Sequence, residues 1–180
     1  MMVEGSIIGA IWPREDLAKV VMLELDIHDD RGQLSSEQLS VMTERLIAAC
    51  SWLGVTGEVR VRVVGDSAMA AAHERYSGVA GTTDVLTFDL RSAGEREGEP
   101  NRMDVDVLVC LDEARRQTAL RGHLLEHEIL LYIVHGVLHC LGHDDHDDAA
   151  FARMHALEDE VLTAIGVGPI FGAGPASEGK

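Results

Sequence analysis

The stretch Leu124-Leu125-Glu126-His127-Glu128-Ile129-Leu130-Leu131-Tyr132-Ile133-Val134-His135-Gly136-Val137-Leu138-His139-Cys140-Leu141 is polar in its first turn and then apolar almost all the way round. That pattern predicts a helix buried in a core rather than one lying on a surface. Two histidines interrupt the apolar run. His135 and His139 stand four apart, so on a helix they project from one face a turn above each other, and both imidazoles can reach one ion. A lone buried histidine is more often a hydrogen-bonded core residue than a ligand. Two at helical spacing, with His143 and His146 just beyond, make a metal site the stronger reading.

Gly142 falls where helices commonly end in a left-handed residue, so the chain can turn back and offer one of His143, Asp144, Asp145 or His146 as a third ligand. Histidine nitrogens with at most one carboxylate favour zinc over magnesium or calcium. Three protein ligands leave a fourth position open, which is the arrangement of catalytic zinc. One Zn2+ per chain is expected. His123 and His127 continue the four-residue step, but His127 lies about 12 Å before His135 along the axis at ~1.5 Å per residue, so both are expected as surface histidines outside the site.

Outward from the helix, strands and helices alternate. Val20 to Ile27 and Glu58 to Val64 show the period-two pattern of half-buried strands. Ser35 or Ser36 can cap a helix running to about Trp52, and Asp66 or Ser67 one running to about Tyr76. Asp84 to Leu90 and Asp104 to Leu111 are two further strands. The segment Arg91 to Asn101 between them, with its Gly, Glu and Pro content, is expected to be a mobile solvated loop. Asp112 caps a helix that Gly122 ends, and Asp148 to about Ile165 is a last helix, with Phe151, Met154, Leu157, Val161 and Leu162 on one face. The expected fold class is α+β: a mixed, mostly parallel four-stranded sheet packed with helices, zincin-like, its central buried helix carrying the metal ligands. Residues 1–165 are expected to form a single metal-dependent hydrolase domain and 166–180 a flexible C-terminal tail.

The longest apolar run, Ile129 to Val134, is far too short to span a bilayer, and Met1 to Ala10 has no signal-peptide pattern, so a cytoplasmic protein with no membrane partner is expected. Cys50, Cys110 and Cys140 show no paired spacing and read as reduced thiols in apolar surroundings. The net charge of -16 argues against indiscriminate nucleic-acid binding, and no DNA partner is expected. Yet thirteen of the fifteen basic residues are Arg, the side chain that grips phosphate in a bidentate fork. Arg60 and Arg62 share one strand face and are candidate substrate contacts, although a solvated face balancing nearby acids is the plainer account. Arg115, Arg116 and Arg121 crowd one short helix.

A histidine-held zinc with an open position lowers the pKa of bound water towards about 7 and polarises a phosphoryl or carbonyl oxygen alike. Zinc peptidases of the His-Glu-x-x-His type carry a Glu after the first histidine as general base, whereas this chain has Gly136, which weakens a peptidase reading. Asp144 and Asp145 are the candidate general bases.

His135-Gly136-x-Leu138-His139 with the Leu-Gly turn that follows, together with Thr83-Asp84-Val85-Leu86-Thr87-Phe88 and Asp106-Val107-Leu108-Val109-Cys110 upstream, resembles the YbeY-type endoribonucleases. The resemblance runs from about Val55 to Ile165. It implies a zinc-dependent, single-strand-specific endoribonuclease acting in ribosomal RNA processing, with RNA as substrate and ribosome-associated proteins as partners. It also implies a third histidine ligand. The family places it six residues after the second, where this chain has Asp145, and the nearest later histidine is His146, which completes the expected set His135, His139 and His146. An Arg commonly follows the family's Tyr before the Thr-Asp-Val-Leu strand. Here Tyr76 is followed by Ser77, and Arg75 on its other side is the candidate substitute. A zinc peptidase or other metal hydrolase ranks second, and a non-catalytic, zinc-braced ribosome-associated module third.

Overall fold

The computed structural model describes residues 23–171. In chain order the elements are β1 Leu23–Asp29, α1 Ser36–Trp52, β2 Thr56–Val64, α2 Asp66–Ser77, β3 Val85–Asp89, α3 Ala93–Gly98, β4 Arg102–Cys110, α4 Leu111–Arg121, α5 Leu125–Cys140 and α6 Asp148–Ala164. The first residues of the expected opening strand, Val20 to Met22, and the end of the expected tail, 172–180, lie outside the described residues.

The four strands form one sheet in the order β1-β2-β4-β3. β1 and β4 both run parallel to β2, and β3 pairs antiparallel with β4, so the sheet is mixed and mostly parallel. Register puts Val59, Val61 and Val63 beside Val105, Val107 and Val109, and these six are almost completely buried. They share one hydrophobic core with Met42 and Leu46 of α1, Ile133, Val137 and Leu138 of α5, and Met154 and Leu162 of α6. Each such aliphatic side chain contributes about 1.5–3 kcal/mol by leaving water. The alternate positions on the other sheet face are half covered by α2, where Met69 packs with Val64 and Cys110.

Local rules account for the helix ends. Ser35 caps α1, accepting from the Gln38 N–H while the Gln38 side chain accepts from the Ser35 N–H, a reciprocal capping box. Gly122 ends α4 at φ 79°, a left-handed conformation that favours glycine. At α2 the cap is Gly65 rather than Asp66 or Ser67, because the Asp66 carboxylate is engaged by the Arg116 guanidinium of α4 at 2.7 and 2.8 Å. The start of α4 likewise differs: Asp112 lies inside the helix, and its carboxylate accepts from Arg31 and from the Asp66 N–H.

The expected mobile loop between β3 and β4 is ordered structure. It contains α3, capped by Ser92 with Glu95, and its first residue, Arg91, is buried. The Arg91 guanidinium forks onto both Asp89 carboxylate oxygens and donates to the backbone carbonyls of Pro100, Arg102 and Cys140, each at 2.8 or 2.9 Å. The contact to Cys140 satisfies a carbonyl at the C-terminal end of α5 and ties that end to the sheet edge.

α5 is the central element, packed against β3, β4, α1, α4 and α6, with a continuous buried run from Glu128 to Val134. Its close approach to β3 depends on Gly136: a Cβ there would stand 2.2 Å from the Thr87 hydroxyl oxygen. Beyond α6 the chain turns back at Gly166, Ile170 and Phe171 pack against the core, and their N–H groups donate to Asp159.

Candidate metal centre

His135 and His139 meet edge to face, ring centroids 4.5 Å apart, with their Nε2 atoms 3.0 Å from each other. The other nitrogen of each ring is committed. His135 Nδ1 lies 2.6 Å from Glu158 Oε1, and His139 Nδ1 lies 3.1 Å from the carbonyl oxygen of His143. A carboxylate and a carbonyl only accept, so both rings donate from Nδ1 and present Nε2 lone pairs to each other. Two lone pairs at that separation repel unless a proton or a metal cation lies between them. The spacing is near the roughly 3.3 Å edge of a tetrahedron with Zn–N bonds of about 2.0–2.1 Å, and the residues therefore fit zinc.

The turn after α5 supplies a third group. Gly142 adopts φ 91°, its N–H donates to the His139 carbonyl, and the His143 N–H reaches back to the Leu138 carbonyl, which is the Schellman pattern. The chain then delivers Asp145, whose two carboxylate oxygens stand 3.9 Å from His135 Nε2 and 3.8 Å from His139 Nε2. One ligand atom from each of His135, His139 and Asp145 lies within 4.8 Å of the other two. His146, the histidine expected as third ligand, is not in that group. Its side chain is 84% exposed, and its ring and N–H turn to Asp144. Its Nδ1 stands 3.9 Å from Asp145 Oδ1, and Asp144, Asp145 and His146 form a second group whose ligand atoms lie within 4.8 Å of one another. His143 contributes its backbone carbonyl. Of the two candidate bases, Asp145 faces the histidines and Asp144 faces His146.

Glu158 of α6 is a site residue that sequence reasoning misses. Its carboxylate is fully buried and accepts from two imidazoles, His135 on Oε1 and His155 on Oε2, each at 2.6 Å. The available signal is its position, four residues after Met154 and three before Val161, on the apolar stripe of the helix. Burial alone would lower the pKa of His135. The hydrogen bond to Glu158 and the charges of Glu158, Asp84 and Asp145 outweigh it and leave the ring above its ordinary value.

The site opens into a cleft of about 590 Å³ whose other walls include Thr83, Asp84, Arg121, Glu128, Tyr132 and His155. Glu128, Tyr132, His135 and His139 recur at spacings of four, three and four, forming one polar stripe on an otherwise apolar helix. Burial and the adjacent Glu128 push the Tyr132 hydroxyl well above the ordinary range. His123 and His127 are half-buried rather than exposed: His123 is bound to the buried carboxylate of Glu128, and His127 Nε2 is buried without a hydrogen-bond partner among the described residues.

The three candidate substrate arginines are elsewhere. Arg60 and Arg62 line a separate groove of about 670 Å³ on the opposite face of the sheet, beside Tyr76 and Phe88. Arg60 is held by Glu58, Asp104 and Asp106, and hydrogen bonds from Arg60 to Asp104 and Asp106 keep its pKa above the usual guanidinium range. Arg62 pairs with Asp30, and Arg75 lies over the Tyr76 ring at 5.3 Å. The arginine that lines the metal cleft is Arg121, 41% exposed and 3.9 Å from Glu128. Cys50 and Cys110 are buried free thiols and Cys140 is half-buried; burial pushes the Cys50 thiol up to about 12. Among the described residues no helix is long and apolar enough to cross a membrane.

The chain is similar in sequence to named proteins and in fold to a solved structure. The chain is 32% identical to an Endoribonuclease YbeY from Macrococcus caseolyticus, over 81% of this chain and 97% of that protein. It is 34% identical to an Endoribonuclease YbeY from Moorella thermoacetica, over 81% of this chain and 99% of that protein. The solution structure of TM1509 from Thermotoga maritima matches with a TM-score of 0.52 at 22% identity, covering 88% of this chain and 99% of that one, a likeness of fold. The sequence profile described as Endoribonuclease YbeY matches residues 24–166, and the chain belongs to that family.

Proposed function

We propose that this protein is a zinc-dependent endoribonuclease that cuts single-stranded RNA in ribosomal RNA maturation, with His135, His139 and Asp145 holding one zinc ion. Family membership supports RNA as the substrate class, ribosomal RNA as its source and the cytoplasm, where ribosome-associated partners would be met, as its place of action. One observation carries the catalytic reading: the Nε2 atoms of His135 and His139 converge with the Asp145 carboxylate, His135 and Asp145 line an open cleft, and the three side chains are 23%, 33% and 31% exposed. A zinc that only braced the fold would be sealed by four protein ligands. The reading is zincin-like in placing two histidines a turn apart on a buried helix, but the position a peptidase gives to its Glu is Gly136, pressed against Thr87.

Bound there, zinc would supply a Lewis acid for a phosphoryl oxygen and an acidified water. The chain's own residues do the rest. Glu158 and the His143 carbonyl orient the two imidazoles, and Arg121 offers the cleft a phosphate-binding guanidinium. Incubating zinc-loaded protein with single-stranded RNA, duplex RNA and casein tests the reading. Internal cleavage of the single strand alone is expected, and cleavage of casein with RNA left intact would reverse it.

A further inference from the structure

His155 lies on α6 one turn before Glu158, at the rim of the metal cleft, and its surroundings leave it one free nitrogen. Its Nδ1 lies 2.6 Å from Glu158 Oε2, so Nδ1 carries the proton and donates to the carboxylate. One face stacks on Phe171, with centroids 3.8 Å apart and planes 23° from parallel, and the Phe151 ring meets it nearly perpendicular at 3.9 Å. Those contacts fix the ring's plane and tilt. Nε2 has no hydrogen-bond partner among the described residues and is not among the buried unpartnered atoms. The imidazole is thus held as an acceptor on the same cleft wall as His135, and the two rings sit on the two oxygens of one carboxylate.

We propose that His155 is a catalytic residue of this enzyme, the general base that deprotonates the water attacking the scissile phosphodiester; this rests on the endoribonuclease reading above. His155 Nε2 takes one proton from water as the water oxygen bonds to phosphorus. The bond from phosphorus to the leaving ribose oxygen breaks, that oxygen is protonated by solvent, and His155 then returns its proton to solvent. Glu158 stabilises the imidazolium formed in the step, as a buried carboxylate does when it orients a catalytic histidine. The charged groups sharing the cleft with His155 are Asp84, Glu113, Glu128, Asp145, Glu158 and Arg121, so carboxylates predominate around it. Asp144 and Asp145 are thereby released from the role of base.

The test is single-turnover cleavage of single-stranded RNA by zinc-loaded parent, His155→Gln and His155→Phe, with KM, zinc content and melting temperature measured beside it. Both variants are expected to lose about 100-fold or more in kcat at unchanged KM and zinc content, since general bases contribute about 10²–10⁴-fold. His155→Phe keeps an aromatic ring between Phe151 and Phe171, so its loss reports the nitrogen rather than the packing. Nitrogen-15 NMR of the loaded protein is expected to find Nδ1 protonated and Nε2 bare. Variants that keep the parent's kcat, variants whose loss follows lost zinc, or a proton found on Nε2 would each overturn the assignment while leaving the nuclease reading intact. A parent that cleaves no RNA overturns that reading and this step with it.

Discussion

Glu158 Oε1 lies 2.6 Å from the Nδ1 of His135, and the same buried carboxylate takes a second imidazole on its other oxygen. A residue on α6 therefore determines which nitrogen of a residue on α5 faces His139. Glu158→Gln breaks this arrangement, because an amide has one accepting oxygen and turns N–H donors towards the second ring. Zinc affinity should fall about 10–100-fold, the range for lost partners of ligating histidines, as read by competition with a chelator. Unchanged affinity would mean that packing alone orients His135.

Asp145 and His146 are neighbours in sequence but not in role. Asp145→Ala should remove most of the zinc retained after gel filtration, because it deletes the group that stands 3.8–3.9 Å from both histidine Nε2 atoms. His146→Ala, which deletes a side chain 84% exposed, should leave zinc near one equivalent. The opposite pattern in elemental analysis would restore His146 as the ligand. A double substitution His146→Ala with Asp144→Ala should also retain the metal, since those two groups partner each other.

Gly136 is a packing residue at a position where related chemistry would place a base. Gly136→Ala gains about 1 kcal/mol of helix propensity but puts a methyl group 2.2 Å from the Thr87 hydroxyl oxygen, an overpacking that costs about 1–3 kcal/mol. Net destabilisation is expected from the urea midpoint. In a Thr87→Ala background the nearest remaining atom is the residue-87 Cβ at 3.4 Å, so the same change should become neutral or stabilising. Additive effects in the double-mutant cycle would show that the α5–β3 contact is not the constraint.

What sequence discloses here is what local rules decide. The buried character of α5, the His135–His139 pair, the left-handed exits at Gly122 and Gly142 and the Ser35 cap all follow from spacings of a few residues. The group that meets this pair does not, because the direction of Asp145 depends on how the turn after Gly142 closes onto the helix. Glu158 and His155 are hidden for another reason: a Glu and a His on an amphipathic helix look solvated until α6 is laid against α5. Arg91 is similar. The five hydrogen bonds of its guanidinium connect β3, the β3–β4 connection, the start of β4 and the end of α5, and nothing in the Gly- and Glu-rich segment that follows it signals burial.

Protons and metal compete for the same nitrogen, which sets a pH dependence with a definite sign. In the metal-free fold His135 is held above its ordinary pKa of 6.5: burial opposes this, while Glu158, Asp84 and Asp145 favour the imidazolium more strongly. A group whose folded pKa is raised stabilises the fold fully below the unfolded value and loses that contribution as pH rises through the folded value. Zinc requires the same Nε2 unprotonated, so its stabilisation grows over the window in which the proton's fades. The melting temperature of zinc-loaded protein should exceed that of metal-free protein by a margin that widens from about pH 5.5 to about pH 8, and calorimetry of zinc binding near neutrality should register proton release into the buffer. A margin independent of pH, with no proton released, would exclude His135 as a ligand, whatever the zinc content of the protein.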